Sequence, residues 1–244
     1  MDERIRSLRR DGFLVVKNMM SREEVSRARS CLREALDRLP GERALGEEAN
    51  TLENVWARYP KLRWVLFHEP MLRVLRGFLG EKFAILRDAA AHSNNFTSWH
   101  RDTIAFDDAQ ATFHLRRDFR VINVAYYLQD AINGGLEVVP QSHRSGRRWI
   151  KSLMPHKEPF AIPIKAGDAI LFDADLLHRG APRHPTATEE KMAIFFATCP
   201  ISPYAREFND LLLVHHQKCN LYLKDFHYPD DFIGMAEKYG LSLP

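Results

Sequence analysis

The sequence predicts an α+β fold in which helices precede a mainly β core. Before residue 80, apolar residues recur in two stretches at the three- and four-residue spacing of a helix face. From residue 83 onward, short runs rich in β-branched and aromatic residues alternate with turn-forming residues. This order predicts a sandwich or barrel with flanking helices. We expect one domain over 1–244, with a helical front to about 80, a core over about 83–200 and a C-terminal extension from 201.

Two helices are predicted in the front part of the chain. Ser21 and Glu24 have the spacing of a capping box, so a helix begins there, and it ends before Pro40. A second helix is predicted from Glu69 to Leu79, with Pro and Gly at its two ends. The polar, Glu-rich stretch 42–54 is predicted to be a loop or a lid.

The strands of the predicted core follow in order. They span residues 83–87, 120–128, 136–139, 160–164, 169–172 and 192–198. Asn133, Gly134 and Gly135 are predicted to form a turn between two of these strands. In the extension, the apolar run 211–214 is predicted to lie within a helix.

The composition limits the partners of the protein. Among 244 residues, 45% are hydrophobic and 27% are charged, as in ordinary globular proteins. A formal net charge of +3 with scattered basic residues argues against a nucleic-acid partner. Three widely spaced cysteines argue against a disulfide framework, and neither a secretory signal nor an apolar run of about 18 residues is visible. We expect a cytoplasmic monomer or homodimer that binds no membrane.

A metal site is suggested by His100 and Asp102. On a β-strand, residues two apart point to the same face, so this imidazole and this carboxylate can reach one point. One more histidine would complete the 2-His-1-carboxylate arrangement of non-haem Fe(II) oxygenases, which leaves coordination positions open. A His-x-Asp match is common by chance, so its weight depends on the rest of the chain.

The segment that contains His100 and Asp102 is one of five motifs that follow one another along the chain. Asp11–Val15 reads Asp-Gly-Phe-Leu-Val, and Trp99–Asp102 reads Trp-His-Arg-Asp. Leu128–Asp130 is Leu-Gln-Asp, and Gly134–Arg144 contains Gly-Gly-Leu followed by Val-Pro-Gln-Ser-His-Arg. Finally, His178 ends an apolar strand that follows a Gly-Asp turn.

Over about residues 8–198, these ordered motifs resemble the phytanoyl-CoA dioxygenase family of Fe(II)/2-oxoglutarate-dependent oxygenases. The resemblance implies a double-stranded β-helix, a cupin-like jelly roll flanked by N-terminal helices. It implies that His100, Asp102 and His178 are the catalytic iron ligands, with 2-oxoglutarate and O₂ as co-substrates. The implied enzyme is an oxidoreductase that hydroxylates or otherwise oxidises a small organic molecule, with secondary metabolism as one setting, and releases succinate and CO₂. Asp102 argues against halogenation, since related halogenases have a small residue there and bind chloride instead.

The anchor for the distal carboxylate of 2-oxoglutarate departs from the family pattern. The family usually has an arginine after the distal histidine, where bidentate pairing with a carboxylate explains the preference. Here Lys191, at the start of the last apolar strand, is our first choice, and Arg183 is the alternative. A lysine supplies the charge without the guanidinium fork.

Other polar residues have less specific expectations. Three that lie on or beside one predicted strand could bind 2-oxoglutarate or satisfy backbone groups: Asn123, Tyr126 and Gln129. Three more could line the substrate pocket: Asn94, Trp99 and Arg117. For Trp99, packing in the core is the favoured interpretation. For Arg117, a solvated loop is at least as good an interpretation as a place in the substrate pocket.

Two other functions stay open at this point. The chain could be a jelly-roll binding protein that has lost its metal and its activity. It could also be a cupin-type iron dioxygenase that uses the same triad without 2-oxoglutarate. The intact triad argues against the first, whereas the missing arginine favours it slightly.

Overall fold

Two β-sheets form the centre of the computed structural model, which describes residues 3–38, 50–94, 96–106, 111, 113, 116, 118–144, 158–180, 190–218 and 227–244. The larger sheet has the order β1 (Phe13–Val16), β7 (Ala169–Asp173), β4 (Ile122–Tyr127), β9 (Met192–Pro200), β3 (Phe83–Ser93) and β10 (Leu241–Ser242), and β2 (Asn50–Glu53) pairs with β3. The smaller sheet has the order β6 (Phe160–Ile164), β5 (Ala131–Val138) and β8 (His178–Gly180).

An apolar cluster joins the two sheets face to face. Its members from the larger sheet include Ala125, Tyr127 and Phe172, and those from the smaller sheet include Leu136 and Ile162. These side chains are buried, and they alternate with residues of the opposite face along each strand, as the pleat requires. The two packed sheets are the mainly β core that the sequence predicts.

Helices cover the other face of the larger sheet and one of its ends. They are α1 (Glu3–Asp11), α2 (Arg22–Arg38), α3 (Val55–Arg58), α4 (Arg63–Leu66), α5 (Glu69–Leu79), α6 (Pro203–Lys218) and α7 (Asp230–Lys238). Buried residues of α1 to α5 and of α7 share one cluster with the outer face of β4. Helix α6 packs instead on a second aromatic cluster around Phe106 and Phe113. Within the described residues, no helix has the length and apolar character needed to cross a bilayer.

The predicted start of α2 is confirmed by its capping box. The Ser21 N–H donates to Glu24 Oε2 at 2.8 Å, and the Glu24 N–H donates to Ser21 Oγ at 3.2 Å. This reciprocal pair satisfies two backbone donors that the first turn of α2 leaves unpaired. Helix α5 has the predicted bounds, and the run 211–214 lies in α6.

Two local predictions are wrong. The predicted loop 42–54 ends in a strand, β2, which adds to the edge of β3, while residues 39–49 lie outside the described part of the chain. The predicted turn at Asn133–Gly135 is part of β5, whose pairing with β6 is irregular between Ala131 and Leu136. Glycines here mark a bulge and a close approach of another side chain, which sequence alone does not distinguish from a turn.

Candidate metal centre and its cavity

An isolated antiparallel bridge places His100 directly opposite His178. The His100 N–H donates to the His178 carbonyl at 2.9 Å, and the His178 N–H donates to the His100 carbonyl at 3.0 Å. Opposed residues of an antiparallel pair project their side chains to the same face. The two imidazole centroids are therefore only 4.3 Å apart, although the residues are distant in sequence.

Asp102 reaches the same point from a 3₁₀-helix, Asp102–Phe106. Its backbone N–H donates to the carbonyl of Ala174 at 3.1 Å, so the strand assumed for the His-x-Asp spacing ends before this residue. Asp102 Oδ1 lies 3.4 Å from Nε2 of His100 and 3.6 Å from Nε2 of His178. One donor atom from each residue lies within 4.8 Å of the other two. The structure thus brings together the three predicted ligands.

Backbone carbonyls fix the protonation of both imidazoles. Nδ1 of His100 lies 2.7 Å from the Ser98 carbonyl, and Nδ1 of His178 lies 2.9 Å from the Leu176 carbonyl. Because a carbonyl only accepts hydrogen bonds, each Nδ1 carries the proton and each Nε2 keeps its lone pair. Both lone pairs face Asp102, which is how histidines are oriented at metal sites.

The carboxylate of Asp102 is held as an anion. Its Oδ2 accepts a hydrogen bond from the Asn123 amide, which leaves Oδ1 toward the two histidines. Burial opposes ionisation, but His178, His100 and Asn123 outweigh it, so the pKa of Asp102 is lowered. Burial lowers the pKa of His178, whereas for His100 the contact with Asp102 outweighs burial and raises it. Two imidazoles and one carboxylate form a donor set that fits Fe(II).

The triad lies on the wall of a cavity of about 240 Å³ between the sheets. Lys191 lines the same cavity next to Gly180, where an added Cβ would lie 3.2 Å from Lys191 Nζ. Gly180 is two residues beyond His178 on β8, a distance of about 7 Å along a strand. Lys191 therefore lies close enough to the triad for one small molecule to contact both.

The backbone of Lys191 is fixed by Asn94. The Lys191 N–H donates to Asn94 Oδ1 at 3.0 Å, and the Asn94 N–H donates to the Lys191 carbonyl at 2.7 Å. Lys191 Nζ lies 4.9 Å from the ring centroid of Phe96. Burial lowers the pKa of Lys191 to about 8, and the charge of Glu137 opposes this shift. The predicted substrate residue Asn94 thus positions the predicted anchor.

Tyr126, predicted to bind 2-oxoglutarate, is on the wrong face of β4. Its hydroxyl lies 3.3 Å from His68 Nδ1 in the cluster under the helices. The strand alternates, so Asn123 and Tyr127 line the cavity instead. The buried hydroxyl of Tyr127 has no hydrogen-bond partner among the described residues. Once the structure shows that Asn123 faces the cavity, the two-residue period of the strand also places Tyr127 there.

The remaining predicted residues lie outside the cavity lining or outside the described chain. Gln129 accepts a hydrogen bond from the Met192 N–H at 2.6 Å, so it satisfies a backbone group. Trp99 packs beside Val139 and Leu177, as the packing interpretation expects. The positions of Arg117 and Arg183 fall outside the described residues.

Gly135 makes room for Tyr127, and its replacement should be costly. An added Cβ at Gly135 would lie 2.1 Å from Cε1 of Tyr127. We expect Gly135→Ala to lower the free energy of unfolding by about 1–3 kcal/mol, the range for overpacked interiors. Urea titration measures this. Gly234→Ala is the control, because nothing lies within 4 Å of its added Cβ and alanine favours helix α7. Equal stability of Gly135→Ala and the wild type would contradict the close approach.

Comparisons with known proteins agree with this architecture. The family model for phytanoyl-CoA dioxygenase (PhyH) matches residues 8–187. The non-haem α-ketoglutarate-dependent carbocyclase SnoK from nogalamycin biosynthesis is 18% identical, over 82% of this chain and 84% of that chain, with a TM-score of 0.66. HygX from Streptomyces hygroscopicus, with nickel and 2-oxoglutarate bound, is 15% identical over 82% and 87%, with a TM-score of 0.64. EctD from S. alaskensis, with bound Fe, is 20% identical over 82% and 77%, with a TM-score of 0.65.

No curated protein sequence matches the chain significantly. At the identities of the solved structures, the likeness concerns the fold alone. It confirms the predicted α+β fold with a cupin-like jelly-roll core.

Proposed function

The chain belongs to the phytanoyl-CoA dioxygenase family and is an Fe(II)/2-oxoglutarate-dependent oxygenase of small molecules, and we propose that His100, Asp102 and His178 hold its iron. One observation carries this proposal: donor atoms of His100, Asp102 and His178, from two segments distant in sequence, lie within 4.8 Å of one another. Fe(II), when bound with 2-oxoglutarate and O₂, supplies the oxidation of the substrate and yields succinate and CO₂. The Ser98 and Leu176 carbonyls hold the two imidazoles in the tautomer that coordinates through Nε2.

We propose that Lys191 and Tyr127 bind the distal carboxylate of 2-oxoglutarate. Both line the cavity near the β5–β8 pair, where a Cβ added at Gly135 would meet the Tyr127 ring and one added at Gly180 would lie 3.2 Å from Lys191 Nζ. The ammonium offers a charge-assisted hydrogen bond, and the unpartnered Tyr127 hydroxyl offers a second donor. Burial raises the pKa of Tyr127, so the hydroxyl keeps its proton for donation.

We further propose that the enzyme hydroxylates its substrate or carries out another oxidation that uses no halide. The Asp102 carboxylate fills the ligand position that a halide would need. A setting in secondary metabolism is supported by similarity to SnoK from nogalamycin biosynthesis. We also propose a cytoplasmic single-domain protein, a monomer or homodimer that binds no nucleic acid. The low net charge argues against a nucleic-acid partner, and the free thiols of Cys31 and Cys199 suit a reducing compartment.

Succinate formation tests this function directly. The purified protein, supplied with Fe(II), 2-oxoglutarate and O₂, is screened against a panel of small metabolites, and succinate is measured by mass spectrometry. We expect at least one compound to raise succinate release and to be oxidised in equal amount. A protein that binds no Mn(II) and forms no succinate would instead be a non-catalytic jelly roll. Oxidation of substrate that continues without 2-oxoglutarate would identify a cupin-type dioxygenase.

A further inference from the structure

Asp88 presents a carboxylate to the cavity beside the metal ligands. It lies on β3 and lines the cavity, and its charge interacts with those of Asp102 and His100. It is outside the cluster of donor atoms that could share a metal ion. Within the described chain, Asp88 forms no hydrogen bond and no ion pair. This carboxylate is therefore available to a ligand in the cavity.

A bulge in β3 brings Asp88 to this place. Three residues, 86–88, lie between Ile85 and Ala89, whereas on β9 only Ala197 lies between their two partners. Bulges of this kind bend the strand and redirect side chains, and they are frequent next to active sites. The extra residues of β3 thus place a carboxylate on the cavity wall.

Helix α6 holds the bulge in place. The Arg87 N–H donates to Asn209 Oδ1 at 2.9 Å, and Asn209 Nδ2 donates to the Pro244 carbonyl at 2.7 Å. Asn209 is only 1% exposed, so this pair of hydrogen bonds is protected from water. The conformation around Asp88 is fixed by the fold before any ligand binds, which favours precise recognition.

Two buried carboxylates elsewhere in the described chain have cationic partners. Asp168 accepts a hydrogen bond from Lys17 Nζ at 2.8 Å, and Asp173 accepts one from Arg120 at 3.2 Å. A buried carboxylate without such a partner is costly. Burial and the negative charge of Asp102 raise the pKa of Asp88 to about 7. A cation brought by a ligand would relieve this cost.

The charge balance of the loaded site indicates the sign of the missing partner. The positive charges of Fe(II) and of the Lys191 ammonium together balance the negative charges of Asp102 and of the two carboxylates of 2-oxoglutarate. The charge of Asp88 on the cavity wall is then left unbalanced. We propose that Asp88 is a specificity-determining residue that pairs with a positively charged nitrogen of the prime substrate. This inference rests on the proposed function of the site.

Binding of matched amines and alcohols tests the proposal. The probes are benzylamine with benzyl alcohol, and cyclohexylamine with cyclohexanol, added to protein that carries Mn(II) and 2-oxoglutarate. Affinity is measured by the shift in melting temperature and by tryptophan fluorescence. We expect the wild type to bind each amine ten- to hundredfold more tightly than its alcohol, the range for a hydrogen bond to a charged group.

The Asp88 variants decide the role of the carboxylate. Asp88→Asn keeps the shape and removes the charge, so the amine preference should fall below about twofold. Asp88→Glu should keep most of it, and Asp118→Asn, an exposed carboxylate paired with Arg116, should leave it unchanged. A wild type without amine preference, or an Asp88→Asn variant that retains it, would overturn the proposal.

The same preparations separate this inference from the proposed function. Asp88→Asn should still bind Mn(II) and 2-oxoglutarate, because Asp88 is not among the ligands. If the wild type binds no Mn(II), the assignment of the metal site fails. The amine preference is then measured on the metal-free protein, where its presence or absence still decides the role of Asp88.

Discussion

His178→Ala is expected to abolish succinate formation and to weaken Mn(II) binding by at least about 100-fold, because even the outer-shell partners of metal ligands contribute 10- to 100-fold. The loss should leave the fold intact, since the backbone bridge between His178 and His100 does not involve the imidazole. The ring contacts Phe172 at 4.8 Å between centroids, so we expect a moderate fall in melting temperature. Mn(II) titration by calorimetry and succinate release by mass spectrometry are the two measurements.

The controls for this prediction come from the same chain. His100→Ala should give the same double loss, because its Nε2 faces the same point. His227→Ala, at an exposed position before α7, should bind metal as the wild type does. If both His100→Ala and His178→Ala bind metal as tightly as the wild type, the triad is not the iron site. This conclusion holds whether or not the variants form succinate.

How far the sequence predicts this fold depends on whether a signal is local. The start of α2 is predicted correctly because Ser21 and Glu24 are close in sequence and cap the helix by themselves. The bridge between His100 and His178 joins distant segments, so no local pattern contains it. Ordered family motifs supplied that pairing, and the structure shows the hydrogen bonds that make it.

The errors at the site have a common physical cause. Every residue of β4 is buried, so its burial has no period of two to show which side faces the cavity. Tyr126 and Tyr127 therefore look alike in sequence, although only the second lines the cavity. Gly135 resembles a turn glycine because its real constraint, the Tyr127 ring, comes from another strand. The position of Asp88 on the cavity wall is also not predictable from the sequence, because the bulge in β3 is defined only by its pairing with β9.

Removal of the Lys191 side-chain charge should sharply reduce the affinity for 2-oxoglutarate. Loss of one member of a buried, hydrogen-bonded charge pair costs about 2–5 kcal/mol, so Lys191→Met should raise the Kd about 30-fold to several thousandfold. Metal affinity should change little, because Lys191 supplies no ligand atom. Titration of the Mn(II)-loaded protein with 2-oxoglutarate measures the Kd. Tyr127→Phe, which removes only one neutral donor, should have a smaller effect of about tenfold.

The pH dependence distinguishes a lysine anchor from an arginine anchor. Burial lowers the pKa of Lys191 to about 8, so the ammonium is present below pH 8 and is lost as the pH rises through that value. Binding of an anion stabilises the ammonium and raises its pKa, so the affinity should change little between about pH 7 and 8. It should then fall by up to about tenfold per pH unit above about pH 8.

Lys191→Arg provides the matched control, because arginine stays charged throughout this range. Its affinity for 2-oxoglutarate should therefore be independent of pH between 7 and about 9.5. At pH 7, the Lys191→Arg variant should bind 2-oxoglutarate more weakly than the wild type, since Gly180 and Phe96 leave little room for a guanidinium. If Lys191→Met binds 2-oxoglutarate as the wild type does, at every pH, the anchor lies elsewhere. Arg183→Met should then produce the loss, because Arg183 is the alternative anchor among the basic residues that follow the distal histidine.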